Sequence, residues 1–204
     1  MAESFVQVAN QGSGPKLHTF GRVNGANTLE DEIVQLGEQY LASYTTGVTG
    51  SSVATATDHL VQLMAGTTLR TYLRRIRVVQ LGLAGAVGTL QLNLFRLTTA
   101  GTAGTVLAVN NHDTNDTAFT GAAMALPTAK GVEGARVHSA INLGLVAVAP
   151  IPAGGAGCYE WVQSPKQKAI IIPAGVANGL ALKVVNAVAG ATCAVELDFD
   201  EANF

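Results

Sequence analysis

Two apolar runs, residues 69–83 and 89–97, joined by Ala84-Gly85-Ala86-Val87-Gly88, constrain the fold more than any other part of the chain. In the second run Leu90, Leu92 and Leu94 alternate with Thr89, Gln91 and Asn93. A period of two with one apolar and one polar face is the pattern of a half-buried strand. Two such runs across a glycine-bearing link predict a β-hairpin at the heart of a sheet. The first run slips phase once. Leu69, Thr71 and Leu73 share a face, but the apolar set resumes at Ile76 and Val78. One extra residue at Arg74-Arg75 restores the alternation, so a β-bulge is expected there.

The same period recurs along the chain. Tyr40, Ala42 and Tyr44 alternate with Leu41, Ser43 and Thr45. Residues 47–52 read as a loop and 53–65 as the next strand. A polar loop follows Thr98, broken by the short apolar run 106–109. Further strands are expected at 122–126, 135–149, 158–162, 168–172, 179–188 and 192–200. In the last, Cys193, Val195, Leu197 and Phe199 oppose Ala194, Glu196, Asp198 and Asp200. About nine or ten short strands separated by turns predict an all-β protein, a jelly-roll-like antiparallel β-sandwich over residues 38–204. An Ig-like sandwich is the alternative, although the Cys-Trp-Cys spacing of true Ig domains is missing.

Residues 1–37 differ in composition. Gln11-Gly12-Ser13-Gly14-Pro15 and Asn24-Gly25-Ala26-Asn27 leave too few consecutive apolar positions for a core, which predicts an extended N-terminal arm. A short helix competes within it, because Thr28-Leu29-Glu30-Asp31 resembles a capping box and Leu29, Ile33, Leu36 and Tyr40 recur at near-helical spacing.

Only 13% of the residues are charged, about half the usual share, and mean hydropathy is +0.30, as expected of a chain that works in an assembly. Net charge is −2, which predicts no nucleic-acid partner, since phosphates select for excess Lys and Arg. No membrane partner is expected either: the most apolar run, 143–157, is interrupted by Pro150 and Pro152 and is too short to span a bilayer. The start, Met1-Ala2-Glu3-Ser4-Phe5, lacks a secretory pattern, so folding in a cytoplasm is expected. Cys158 and Cys193, in apolar surroundings, read as buried free thiols rather than a disulfide.

Catalytic equipment is not legible, and the chain is expected not to be an enzyme and to need no cofactor. His18, His59, His112 and His138 are candidates by type only, and no Gly-x-Ser-x-Gly context accompanies them. No metal-ligand spacing occurs. The window holding His112, Asp113, Asn115 and Asp116 offers oxygen ligands but not calcium-loop spacing, and reads as a solvated turn. Gly101-Thr102-Ala103-Gly104-Thr105 reads as a hairpin loop rather than a phosphate cradle. Arg70, Arg74, Arg75 and Arg77 form the basic cluster. Guanidinium forks suit carboxylates, so pairing with neighbours such as Glu196 and Asp198, or with a partner subunit, is favoured over nucleic acid.

Several segments resemble a family of tailed-bacteriophage virion proteins: Leu126-Pro127-Thr128-Ala129-Lys130-Gly131-Val132-Glu133-Gly134, Arg96-Leu97-Thr98-Thr99-Ala100-Gly101-Thr102, Val78-Val79-Gln80, Ile171-Ile172-Pro173-Ala174-Gly175 with Gly179-Leu180-Ala181, and the stretch 198–204. The resemblance covers roughly residues 60–204 and implies a jelly-roll decoration or cement subunit on the outside of a phage head. It implies a homotrimer that clamps neighbouring major capsid proteins, located on the virion exterior and in the host cytoplasm during assembly. The arm then binds a neighbour, with Phe5, Leu17, Phe20, Arg22, Ile33, Leu36 and Tyr40 as anchors, adding a strand to an exposed edge. A carbohydrate- or receptor-binding module of a fibre, with Trp161 as its stacking platform, a head-fibre base and a cupin-like metal enzyme are the rival readings.

Overall fold

The computed structural model describes residues 3–6, 17–24, 27–33, 41–81, 88–145, 157–164 and 168–202. The chain divides into two units, Met1–Tyr40 and Leu41–Phe204.

The N-terminal unit is an antiparallel sheet of β1 (Glu3–Val6), β2 (Leu17–Asn24) and β3 (Asn27–Ile33), in the order β1-β2-β3. Its register sets Phe5 opposite His18, His18 opposite Ile33, and Asn24 opposite Asn27. Residues 27–33 are therefore strand, not helix. The acidic run Glu30-Asp31-Glu32 meets Gly21, Phe20 and Thr19 across the ladder.

The second unit is a sandwich of two antiparallel sheets, with no helix among the described residues. Its strands are β4 (Ala42–Ser52), β5 (His59–Met64), β6 (Arg70–Gln80), β7 (Gly88–Leu97), β8 (Thr105–Val106), β9 (Val109–Asn111), β10 (Ala122–Ala125), β11 (Glu133–Leu145), β12 (Cys158–Val162), β13 (Ile170–Ile172), β14 (Gly179–Asn186) and β15 (Thr192–Ala202). One sheet runs β12-β6-β15-β4-β9, with β13 also on β6, and the other runs β11-β7-β14-β5-β10-β8. The first half of the unit pairs with the second in nested order: β4 with β15, β5 with β14, β6 with β12 and β13, β7 with β11. Between β7 and β11 the segment 105–111 crosses from one sheet to the other, β8 pairing with β10 and β9 with β4.

The expected hairpin of β6 and β7 does not form. Each lies in a different sheet, because each finds a more extensive partner from the second half of the chain: β15 beside β6, β14 and β11 beside β7. The link 82–87 lies outside the described residues. The expected bulge is present: Asp198 pairs with Arg75 and Phe199 with Leu73, so Arg74 is the extra residue. The expected loop at 47–52 is instead the second half of β4. Gly47 is there for proximity, since a Cβ would overlap the carbonyl oxygen of Val195. The strand expected at 53–65 is shorter, starting only at His59.

Alternation places Leu90, Leu92 and Leu94 of β7, Leu180, Leu182 and Val184 of β14, Ile76 and Val78 of β6, and Cys193, Val195 and Leu197 of β15 in one core between the sheets. A smaller cluster of Met64, Leu97 and Ala181 is also buried. Its register places it on the opposite, outward face of the second sheet, with Gln62 beside Ala181.

Candidate functional site

The arginine cluster lies on the outward face of the first sheet. Register brings Arg75 opposite Asp198 and Arg77 opposite Glu196 on β15, and opposite Val162 and Glu160 on β12. Arg75 is the hub. Its Nε lies 2.7 Å from Asp198 Oδ2, its Nη2 bonds Glu196, and its Nη1 is 3.5 Å from Glu160. The Asp198 approach is ionic rather than a well-aimed hydrogen bond, for Arg75 Nε and Asp198 Oδ1 both lack a hydrogen-bond partner. Displaced by the bulge, Arg74 pairs with Asp200 and Gln163. Burial pushes the Asp200 carboxyl above the usual range, and the Arg74 hydrogen bond offsets only part of that. Arg77 is 3.9 Å from Glu196 and about half exposed. Arg70 is exposed at the start of β6, with no carboxylate partner among the described residues. The face is thus a ladder of alternating signs, in which Arg74 and Arg75 meet carboxylates of their own sheet, one of the two pairings, internal or with a partner subunit, expected for this cluster.

The second constellation was missed in the sequence, because its members are far apart there. His59 is fully buried on the outward face of the second sheet. Its Nδ1 is 2.7 Å from Gln62 Nε2 and its Nε2 is 2.9 Å from Glu133 Oε1. Gln62 Oε1 accepts the Gly101 N–H at 2.8 Å, which aims the Gln62 amide nitrogen at the imidazole. His59 Nδ1 is therefore the acceptor, and Nε2 carries the hydrogen given to Glu133. Lys183 Nζ sits 2.8 Å from Glu133. Burial raises the Glu133 carboxyl, but hydrogen bonds from Lys183 and His59 outweigh it and hold the group below its ordinary value.

This network fastens two loops over the sheet. Residues 98–104 and 126–132 bond to each other through Thr98 N to Val132 O at 2.9 Å, Thr102 N to Ala129 O at 2.8 Å, and Val132 N to Thr99 Oγ1 at 2.9 Å. Lys130 reaches Asp58 at 3.2 Å and Thr57 Oγ1 at 3.0 Å. Gly101 is buried against Gln62, Pro127 and the Ala129 carbonyl, where a Cβ would clash.

Elsewhere, Phe5 lies on β1, Leu17, Phe20 and Arg22 on β2, and Ile33 on β3, while Leu36 and Tyr40 lie outside the described residues. His138 Nε2 meets the Tyr159 hydroxyl at 2.7 Å and its ring tilts toward Trp161, joining the edge strands β11 and β12 at one margin of the sandwich. The opposite surface of the core is plugged by Tyr44, Phe119 and Phe199. In the polar loop, Asp113 Oδ1 accepts from the backbone and side chain of Asn115, a self-bonded turn. Both cysteines are free. Cys193 is buried as expected, its thiol pushed up to about 11 by burial, but Cys158 is exposed, because alternation along β12 sends Tyr159 and Trp161 inward instead. No family model, curated protein or solved structure matches this chain.

Proposed function

We propose that the chain is a structural protein of a tailed-bacteriophage particle, a decoration or cement subunit that binds the outer surface of the head and clamps major capsid proteins, acting by buried area and without turnover. The observation that carries this reading is the separate N-terminal unit. It has forty residues and no cysteine, its described residues form three strands, and it is about the size below which a chain usually needs help to stabilise itself. A sheet of that size draws its stability from surface outside itself, and an assembly supplies it by mass action on the bound state.

The nested pairing of β4–β15, β5–β14, β6–β12 and β7–β11 supports a jelly roll over an Ig-like sandwich, since it is one long antiparallel ribbon folded across two sheets. The arginine ladder supports a scaffold role, the guanidinium groups of Arg74 and Arg75 being engaged by the protein's own carboxylates. A homotrimer is the proposed state.

The test is the copy number and position of the chain in purified particles, with removal of residues 1–40 as the perturbation. One copy per capsid-protein copy on the outer surface, and loss of decoration on truncation, is the expected result. A few dozen copies or fewer assigns the chain to a head-fibre base, and decoration with unchanged affinity after truncation overturns the clamping role.

A further inference from the structure

We propose that the paired loops 98–104 and 126–132 form a strap that opens as one unit, separately from the sandwich beneath it, and that the His59–Gln62–Glu133 network is its latch. The inference is independent of the phage assignment and rests on three observations.

The first is backbone strain. Thr57, Ala103 and Leu126 are the non-glycine residues with positive φ among the described residues, at 76°, 56° and 45°. All three belong to the strap or its fastening: Ala103 and Leu126 lie in or beside the loops, and Thr57 receives Lys130. Side chains with a Cβ are held at such angles only where the surroundings over-determine them. The strap is therefore kept in a shape its own backbone disfavours.

The second is where the holding force comes from. Among the described residues the strap is tied to what lies beneath it by polar contacts, Gly101 N–H to Gln62, Leu126 N–H to the Leu60 carbonyl and Lys130 to Asp58, while Glu133, the first residue of β11 directly after the strap, is held by His59 and Lys183. Gln62 is the central link, because a single amide joins the loop backbone on one side to the fully buried imidazole on the other. Losing that amide leaves the Gly101 N–H and the His59 Nδ1 unpaired together.

The third is a buried apolar patch on the same face of the sheet. Met64, Leu97 and Ala181 lie on the outward face of the sheet, where a sandwich normally meets water, yet all three are buried. The strap surface itself is exposed at 98–100, 102–103 and 128–130. Opening thus uncovers the sheet face at Gln62, beside the buried Ala181, while the main core between the sheets stays closed.

The test is native-state hydrogen exchange along a urea series on the full chain, comparing the amides of Thr98, Gly101, Thr102 and Ala129 with those of the β6–β15 ladder. The strap amides are expected to exchange together, with weaker urea dependence and at least tenfold faster than the ladder. Ala103→Gly, which relieves the positive φ, should slow strap exchange about fivefold and leave ladder exchange unchanged. Gln62→Ala should speed strap exchange and raise binding of a hydrophobic dye. If that variant unfolds, the wild-type and Ala103→Gly measurements decide alone. Strap amides that exchange with the same free energy and urea dependence as the ladder, or an Ala103→Gly effect spread equally over both, overturns the proposal.

Discussion

Arg75→Ala is the perturbation that best tests how the first sheet is held together. Three carboxylates converge on this side chain. Glu160, at 3.5 Å and nearly half exposed, and Glu196, about as exposed, are surface pairs worth a few tenths of a kcal/mol each. Asp198 is different: only 17% exposed, it already has one oxygen without a donor, so removing Arg75 leaves a largely desolvated carboxylate with its nearest cation gone. Stranding such a group costs about 1–2 kcal/mol. The variant should therefore lose about 2 kcal/mol, a fall in Tm of about 6 °C for a body of this size. Arg77→Ala is the internal control, because its contact with Glu196 is 3.9 Å and exposed, and it should lose less than about 0.5 kcal/mol. Urea denaturation at low and high salt measures both. Salt should shrink the Arg77 effect towards zero and spare most of the Arg75 effect, since buried charge is screened little. Equal costs for the two variants, or an Arg75→Ala cost that salt abolishes, would refute the hub role. Arg75→Glu on top of this separates a subunit contact from an internal one, as loss of the oligomer with a folded monomer assigns the arginine to the interface.

Leu92→Ala, at a fully buried position in the core between the sheets, should cost about 3 kcal/mol in urea denaturation. Glu133 has a folded pKa below its ordinary 4.5, so its contribution is complete above pH 4.5 and is lost as the pH falls through the folded value. Stability measured against pH should therefore show a smaller acid loss in Glu133→Gln than in the wild type. Asp200 acts with the opposite sign, its raised value making acidification through that value favourable, and the difference between the two curves removes its contribution. A thiol reagent at pH 8 should label Cys158 in the native protein and reach Cys193 only on unfolding, as mass spectrometry of the labelled chain would show.

What was legible in the sequence was local. The alternation of Leu90, Leu92 and Leu94, the one-residue slip at Arg74 and the acidic face of β15 each follow from a period of two, and each survives in the fold. Pairing was not legible, because nested strands place sequence neighbours in opposite sheets. The strongest adjacent runs, β6 and β7, therefore look like a hairpin and are not one. Gly47 misled for a related reason: a glycine required by the close approach of Val195 looks the same as one required by a turn. His59 had no local signal, as Glu133 and Lys183 stand 74 and 124 residues further on (133 − 59 and 183 − 59). Arginines beside acidic alternation could be matched by type, whereas one histidine, one glutamine and one backbone amide could not.

The place of β15 between β6 and β4 carries a consequence for synthesis. The strand nearest the C-terminus is the middle strand of its sheet. As the chain leaves the ribosome, β4 and β6 emerge early and remain without the strand that separates them until the final stretch appears. β7, β11, β14 and β5 can already have closed the other sheet. One face of the protein is thus assembled before the other can exist. The unfinished state presents two bare strand edges, at β4 and β6, to any neighbouring nascent copy. A ribosome stall or nonsense codon shortly before residue 192 should therefore produce an aggregating species rather than a slightly shortened subunit.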